Sequence, residues 1–555
     1  MRNLKFILVL IVSAFATSAY SADKAWGDDP YPVIDPATGG IALPQRSSEP
    51  IYVTTLEEMQ KYLKKDNVHV ILKKGEFRVT AKDIDRGKYP ATTEVVEGRV
   101  SNALFLVKGN GSTYDFGGST IITEIKGVFN SSFLSGELSS LHILGNGNVV
   151  TGVTFIDEGG IHDFPPKGCT NIIVDGRNNI VDNIELRSIG SMPYAYGDTF
   201  GKGKGTLVKL KKHCGVLVRG DDNTFQNSKV VHHAYGHCVF MQGAVRPNII
   251  NNYITSEMST TLAILAEKGD PNSKANSLNF LTAWGFHMDE EFDYTKALCE
   301  AGIRAYINGN TMIDGVRYRR GSVDGSYIKG NYVKDTRVGV TLTHSNNKSR
   351  RTLVEDCTTL GTERGYAVND DAVVRNCFSD AKYGPAYGVD YARGKNNVIE
   401  ITIIDAVSAD YVTSHYDGKQ YRTNNAQAHI AYIQGTGHKI KFRDGRVNDK
   451  NKVIYTNCPD KNITFCAFDL GGDIRVNSQM WKPTKDGANP PHTLNDEMCS
   501  LVDTYIANQT TLPIRVDENA KGNYIWSVGE VFEEVAGTNK VVKGNDWDID
   551  KVFTF

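Results

Sequence analysis

From residue 145 onward one short phrase recurs: a polar turn, a run of Val and Ile alternating with polar residues, then Asn. It reads GNGNVVTGVTF at 145–155, DGRNNIVDNIEL at 175–186, RGDDNTFQNSKV at 219–230 and RPNIINNYI at 246–254. It continues as GSYIKGNYV (325–333), TLVEDCTTL (352–360), DAVVRNCFS (371–379) and GKNNVIEITII (394–404). Each copy predicts a strand of about four to six residues between turn formers, repeating at roughly 20–30 residues, the length of one solenoid coil. A second phrase begins at Gly215, Gly236, Gly302, Gly339, Gly365 and Gly388, each opening another alternating stretch. Each coil therefore holds at least two strands. Asn at a fixed place after an inward Ile or Val suits a left-handed turn whose side chains stack and hydrogen-bond from coil to coil.

Both ends of this run carry their own pattern. TLEEMQKYLKK (55–65) is an amphipathic helix with Thr55 as N-cap and Glu58 three residues on. It precedes the strand NVHVILKKGEFRV (67–79) and is expected to cover the exposed edge of the first coil. Residues beyond about 480 depart from the repeat and are read as C-terminal coils or a cap (481–555) on one domain that starts at residue 23. The interval from Gly236 to Gly302 is 66 residues against 21 to 37 elsewhere, which marks 255–300 as a long loop insertion. The fold class is all-β: a right-handed parallel β-helix with an N-terminal capping helix.

Composition narrows the function. Arg2 and Lys5, the apolar run Phe6–Val12 and small residues to Ala22 form a secretory leader (1–22), too short to span a bilayer. It implies a secreted or periplasmic protein with no membrane attachment after cleavage at Ala19, Ser21 or Ala22. A net charge of −2 leaves no basic surplus for nucleic acid. The nine cysteines show no CxxC pairing and read as small apolar residues of the interior.

The coils, Asn-bearing turns and N-terminal helix together resemble the right-handed parallel β-helix carbohydrate-active enzymes: pectate, alginate and chondroitin lyases and several glycoside hydrolases. The resemblance covers roughly residues 60–470. It implies a glycan-cleaving enzyme with an acidic polysaccharide or oligosaccharide as partner. It assigns no catalytic residue by position.

Strand alternation selects the surface residues. Counted from each glycine, the +1 and +3 positions (Val216/Val218, His237/Val239, Ile303/Ala305, Val340/Leu342, Tyr366/Val368, Val389/Tyr391) are expected inside, and Arg304, Tyr306 and Asp390 on an exposed strip. The polar turns before the glycines hold Lys212, His213, His232, His233, Glu300, Arg337, Glu363, Lys382 and Tyr383, which stacking would bring together. His237, on the core side, reads as a buried histidine, and HHAYGHC lacks the helical spacing of a zinc motif. The insertion adds Trp284 for sugar stacking, and RYRRGSVD (317–324) adds Arg317, Arg319 and Arg320 for carboxylate or sulfate recognition.

β-Elimination from a uronate polymer needs its carboxylate neutralised, a base for the C5 proton and an acid for the leaving oxygen. Arg304 is assigned the first role, His233 or Lys382 the second, and Tyr306 or Tyr383 the third. Arg337, Asp390, Trp284, Arg319, Lys212 and His213 are assigned to substrate binding. A hydrolase would instead use two carboxyl groups among Asp370, Asp371, Asp390, Glu257, Glu300 and Glu363. A non-catalytic glycan-binding β-helix is the third reading. Exposed turn carboxylates suit calcium, but no calcium-loop motif is present, so Ca2+ and any other metal stay open.

Overall fold

The computed structural model describes residues 25–85, 94–96, 99–125, 138–159, 168–190, 199–200, 211–281, 287–290, 295–388, 394–406, 411–413, 418–422, 429–447, 453–455, 501–516 and 518–544. The leader, Trp284 and Asp390 lie outside them.

The chain winds as a parallel β-helix. One side is a long sheet of 20 strands and another a nine-stranded sheet, with almost all neighbours paired in parallel from one coil to the next. The right-handed sense is the one that parallel crossovers adopt. A coil such as 224–242 holds Thr224–Gln226 and Lys229–His233 in the long sheet, then His237–Gln242 in the second.

The alternating Val/Ile pattern has a direct consequence. Val181, Phe225, Ile249, Ile328, Val354 and Val374 pair one above the next, and Ile399, Ile440, Ile506 and Ile525 extend the column. All ten are buried in one continuous core. Each such side chain contributes roughly 1.5–3 kcal/mol by leaving water, so the axis is held by a term repeated on every rung.

The Asn turns stack as the pattern predicts. Ser112 N–H donates to Asn148 Oδ1 at 3.0 Å, Asn148 N–H to Asn179 Oδ1 at 2.9 Å, and Asn179 N–H to Asn223 Oδ1 at 2.8 Å. A second ladder runs from Ser228 N–H to Asn252 Oδ1 (3.0 Å) and Asn252 N–H to Asn331 Oδ1 (3.1 Å). Asn178 and Asn227 take φ of 54° and 51°, a left-handed conformation that Asn tolerates better than most residues.

Two expectations change, the length of the N-terminal helix and the glycine phase. The N-terminal helix spans only Leu56–Gln60, with the Thr55–Glu58 capping box formed. Beyond it the chain tightens into turns, with the Tyr62, Leu63 and Lys65 N–H groups bonding three residues back, and Leu63 O accepts from Lys108 N and Gly109 N. Strands continue past residue 480, with Tyr505–Asn508, Tyr524–Ser527 and Lys540–Lys543 adding rungs to the long sheet. The glycine phase holds at Gly215, Gly302, Gly339 and Gly365 but shifts elsewhere. Val239 pairs with both Val216 and Ile303, so Cys238 takes the glycine's place in that coil, and Tyr387 rather than Val389 meets Tyr366.

A segment no motif announced, 25–48, lies lengthwise along the outside. Asp29 N–H bonds Ser349 O, Ile41 N–H bonds Gln226 Oε1, and Arg46 bonds Gly147 O. This strap thus crosses several coils, and Tyr31, Ile34 and Ile41 cover the outward residues Ile250, Tyr327, Leu353 and Val373.

Candidate functional site

The second sheet has a charged margin. Three residues ahead of the paired core residues Val216, Val239, Ile303, Val340, Tyr366 and Tyr387 stand His213, Gly236, Glu300, Arg337, Glu363 and Gly384, one per coil. Backbone bonds tie the column vertically: Glu300 N–H to Gly236 O at 2.7 Å and Arg364 N–H to Arg337 O at 3.0 Å. The order Glu300, Arg337, Glu363 alternates in sign, and all three are buried. Charges this deep persist only when paired.

Glu300 is the centre of this margin. Its Oε2 lies 2.6 Å from Lys212 Nζ and 3.1 Å from His237 Nε2, while Oε1 accepts from Tyr235 Oη at 3.3 Å. Lys212 keeps 34% of its side chain exposed. It also donates to Tyr306 Oη at 3.4 Å and lies 5.3 Å from that ring's centroid. The Arg304 guanidinium sits 5.0 Å from the same centroid, and the His237 ring 5.3 Å. Burial works against the Lys212 ammonium, but Glu300 and Tyr306 outweigh it and hold its pKa above the usual lysine range. Burial, then Glu300, pushes the Tyr235 hydroxyl well up, so Tyr235 acts as a neutral donor. One lysine, one phenol and one guanidinium thus meet where the margin reaches solvent.

The insertion closes the neighbouring part. Its strands Met258–Thr260 and Thr295–Ala297 form an antiparallel ribbon. From that ribbon Lys296 Nζ pairs with Glu363 Oε2 at 3.0 Å, and Ala297 N–H donates to Glu363 Oε1 at 2.7 Å. Met258 and Ala297 pack on Tyr383. Ile264, Ala275, Phe280 and Met288 make a second apolar cluster on Tyr235 and Phe200.

A carboxylate-rich corner lies just ahead in the coil. His233 Nδ1 is 3.9 Å from Glu257 Oε2, and Asp380 Oδ1 accepts from Lys382 N–H at 3.1 Å. Asp335 senses both Glu257 and Asp380. Burial first, with these charges adding and Lys334 opposing, moves its pKa from 3.8 to about 6.

The expected residues therefore divide. Arg304, Tyr306 and Lys212 converge, and Arg337 stands on the rung next to Glu300. Arg304 and Arg337 are nevertheless buried, at 4% and 1%, and do not line an open strip. Strand alternation names the side of a sheet but not what covers it. Leu217 and Phe240, in register with Arg304 on the outer face, are buried and pack with Cys214 and Ile173. Tyr383 is buried by the insertion, and Lys382 lies over its ring at 5.8 Å. His213 is buried, with Nε2 3.1 Å from Asp157 and 3.0 Å from Asn171. His233 and Lys382 belong to the carboxylate corner. Arg319 is exposed on the hairpin Gly309–Ile313/Val316–Arg320. His237 is buried, as its register suggested, with Nε2 toward Glu300.

No family model matches the sequence, and no curated protein matches it. Similar solved structures include the alginate lyase AlyF-OU02, at 14% identity and a TM-score of 0.38, covering 88% of this chain and 86% of that one. The PL6-family polysaccharide lyase Pedsa3628 from Pseudopedobacter saltans is similar at 10% identity and a TM-score of 0.32, over 90% and 94%. The Dettilon tailspike protein is similar at 10% and 0.37, over 88% and 70%.

Among the described residues no group of three or more His, Cys, Asp or Glu side chains is placed to hold a metal ion. Sequence reasoning missed Lys296, Asp335 and Asp380. Lys296 and Asp335 sit outside the turn phrases used to collect candidates. Only the fold of the insertion brings Lys296 to Glu363.

Proposed function

We propose that this chain is an exported polysaccharide lyase that cleaves an acidic, uronate-containing glycan by β-elimination beside Lys212, Arg304 and Tyr306. The observation that carries the reading is the Lys212 ammonium 3.4 Å from the Tyr306 hydroxyl at a partly exposed point of a buried charge margin. Lys212 and Arg304 bring two cations to the Tyr306 ring, the chemistry that receives a substrate carboxylate. Neutralising that carboxylate makes the C5 proton removable. In its phenolate form, facing the Lys212 ammonium, Tyr306 Oη takes this proton as the electron pair forms the C4–C5 double bond and the C4–O bond breaks. It then returns a proton to the departing oxygen. Glu300, fixed by His237 and Tyr235, positions Lys212. The leader pattern supports action outside the cytoplasm.

The test is product identity. Alginate, pectate, chondroitin, hyaluronan and sulfated algal glycans are incubated with the full-length protein and followed by ultraviolet absorbance and reducing-end assay. One acidic glycan is expected to yield ultraviolet-absorbing ends. Tyr306→Phe should lower that rate by about 100-fold or more, the scale of a lost general acid–base, with an unchanged melting temperature. Turnover within a few-fold of wild type would remove Tyr306 from the mechanism.

A second reading, hydrolysis, is favoured by the carboxylate corner. Asp335, its pKa raised to about 6, stands among the Glu257 and Asp380 carboxyls, and a carboxyl of raised pKa beside a second one is what glycoside hydrolysis employs. Reducing ends without ultraviolet absorbance, abolished by Asp335→Asn, would establish it in place of elimination.

A further inference from the structure

A groove on the far side of each coil from the charge margin is lined by a different chemistry. From Gly118 to Gly330, six successive coils turn the corner of the long sheet through a left-handed residue, with φ between 51° and 74°. The repeated bend leaves a concave channel of ≈ 560 Å³ along the helix axis. That size falls in the range of roughly 300–1,000 Å³ typical of small-ligand sites. Its floor is a ladder of Asn183, Asn227 and Asn251 on consecutive rungs, in which Asn251 Nδ2 donates to Asn227 Oδ1 at 2.8 Å and Asn227 Nδ2 to Asp182 Oδ1 at 2.9 Å. Its wall is the outward strand column Glu185, Lys229, Tyr253 and Tyr332. The strap supplies one lip, where Asn251 Nδ2 donates to Thr38 O at 3.3 Å.

The two charged side chains lining this channel pair with each other, Lys229 Nζ lying 3.2 Å from Glu185 Oε1, and Arg187 Nε beyond the lining shares that oxygen at 2.8 Å. Tyr253 and Tyr332 stack with centroids 5.3 Å apart and planes 9° from parallel, and Tyr253 is 41% exposed. Rungs repeat about every 4.8 Å, close to the length of one pyranose residue in an extended chain. Amides in register, an exposed aromatic pair and lining charges already engaged with each other match hydroxyl-rich, uncharged rings. They do not match a polyanion, for which the Lys212–Arg304 region is the cationic counterpart.

We infer that this corner channel is a second, non-catalytic glycan-binding site that takes an extended neutral oligosaccharide parallel to the helix axis. The site is independent of whether the chain is a lyase. It would hold the protein on a mixed glycan matrix while the charge margin works on the acidic component.

The experiment is calorimetric titration of the full-length protein with cellohexaose, mannohexaose and laminarihexaose, and with an oligouronate of the same length. At least one neutral hexaose should bind saturably. The double substitution Tyr253→Ala/Tyr332→Ala should weaken it by about tenfold or more, the loss expected from removing aromatic contacts of this kind. Asn251→Gly, which keeps the left-handed turn and removes the amide, should also weaken binding. Tyr306→Phe should leave neutral binding unchanged, so a failed lyase assignment would not disturb this result. Absence of saturable neutral binding overturns the inference, as does wild-type affinity in the tyrosine variant or binding of the oligouronate alone.

Discussion

Removal of the Asp175 carboxylate should unlock the hairpin 309–320 and lower stability sharply. Asp175 is fully buried. It accepts from His142 Nε2 at 2.9 Å, Thr311 Oγ1 at 3.0 Å and Met312 N–H at 3.0 Å, and it pairs with Arg219. Two of these donors belong to the hairpin. Burial opposes the carboxylate, yet Arg219, His142 and the Met312 N–H bring its pKa from 3.8 down to about 2. A pKa lowered on folding means stability present above the unfolded value and lost as pH falls through the folded one. A shift of nearly two units corresponds to about 2–3 kcal/mol. Asp175→Asn should therefore cost about 2–3 kcal/mol, nearly constant from neutral pH down to the ordinary carboxylate range. Asp175→Ala also strands Arg219 and the hairpin donors and should cost about 3–5 kcal/mol. Urea-unfolding midpoints give the first quantity. Limited trypsinolysis at Arg317 and Arg319 reports whether the hairpin has left the coil. A loss below about 1 kcal/mol in the alanine variant, with the hairpin equally resistant to trypsin, would refute the reasoning.

Asp335 predicts the opposite pH dependence. Its pKa is raised on folding, so stability should rise as pH falls from neutral through about 6 toward 3.8, by up to about 3 kcal/mol. Thermal melts of wild type and Asp335→Asn across that interval should show the rise only in wild type, and parallel curves would exclude it. In the buried ladder, Asn252 accepts from Ser228 N–H and donates to Phe225 O at 3.1 Å. Asn252→Ala leaves both backbone groups without this partner and should cost about 2–4 kcal/mol in chemical denaturation. A cost under half that would mean the neighbouring rungs close over the gap.

The local terms of this fold were legible in the chain. Alternation around Val181, Ile249 and Ile328 required strands buried on one face, and Asn at a fixed offset required a left-handed turn able to bond its neighbour. Both are properties of a residue and its near neighbours, repeated until only a coil satisfies them. The same repetition brought Lys212, Glu300, Arg337 and Glu363 into one neighbourhood. What covers a face is decided by segments far apart in the chain. The insertion lays Lys296 on Glu363 and Met258 on Tyr383, and an unpatterned strap covers Tyr327 and Leu353. A two-residue shift, with Tyr387 rather than Val389 opposite Tyr366 and Cys238 rather than Gly236 in the glycine's place, changes which residues stand above one another. Sequence thus determined the coil and its polar margin. The tertiary structure alone decided which charges are sealed in pairs and which, like Lys212, still meet water, because burial depends on long-range packing that no periodicity encodes.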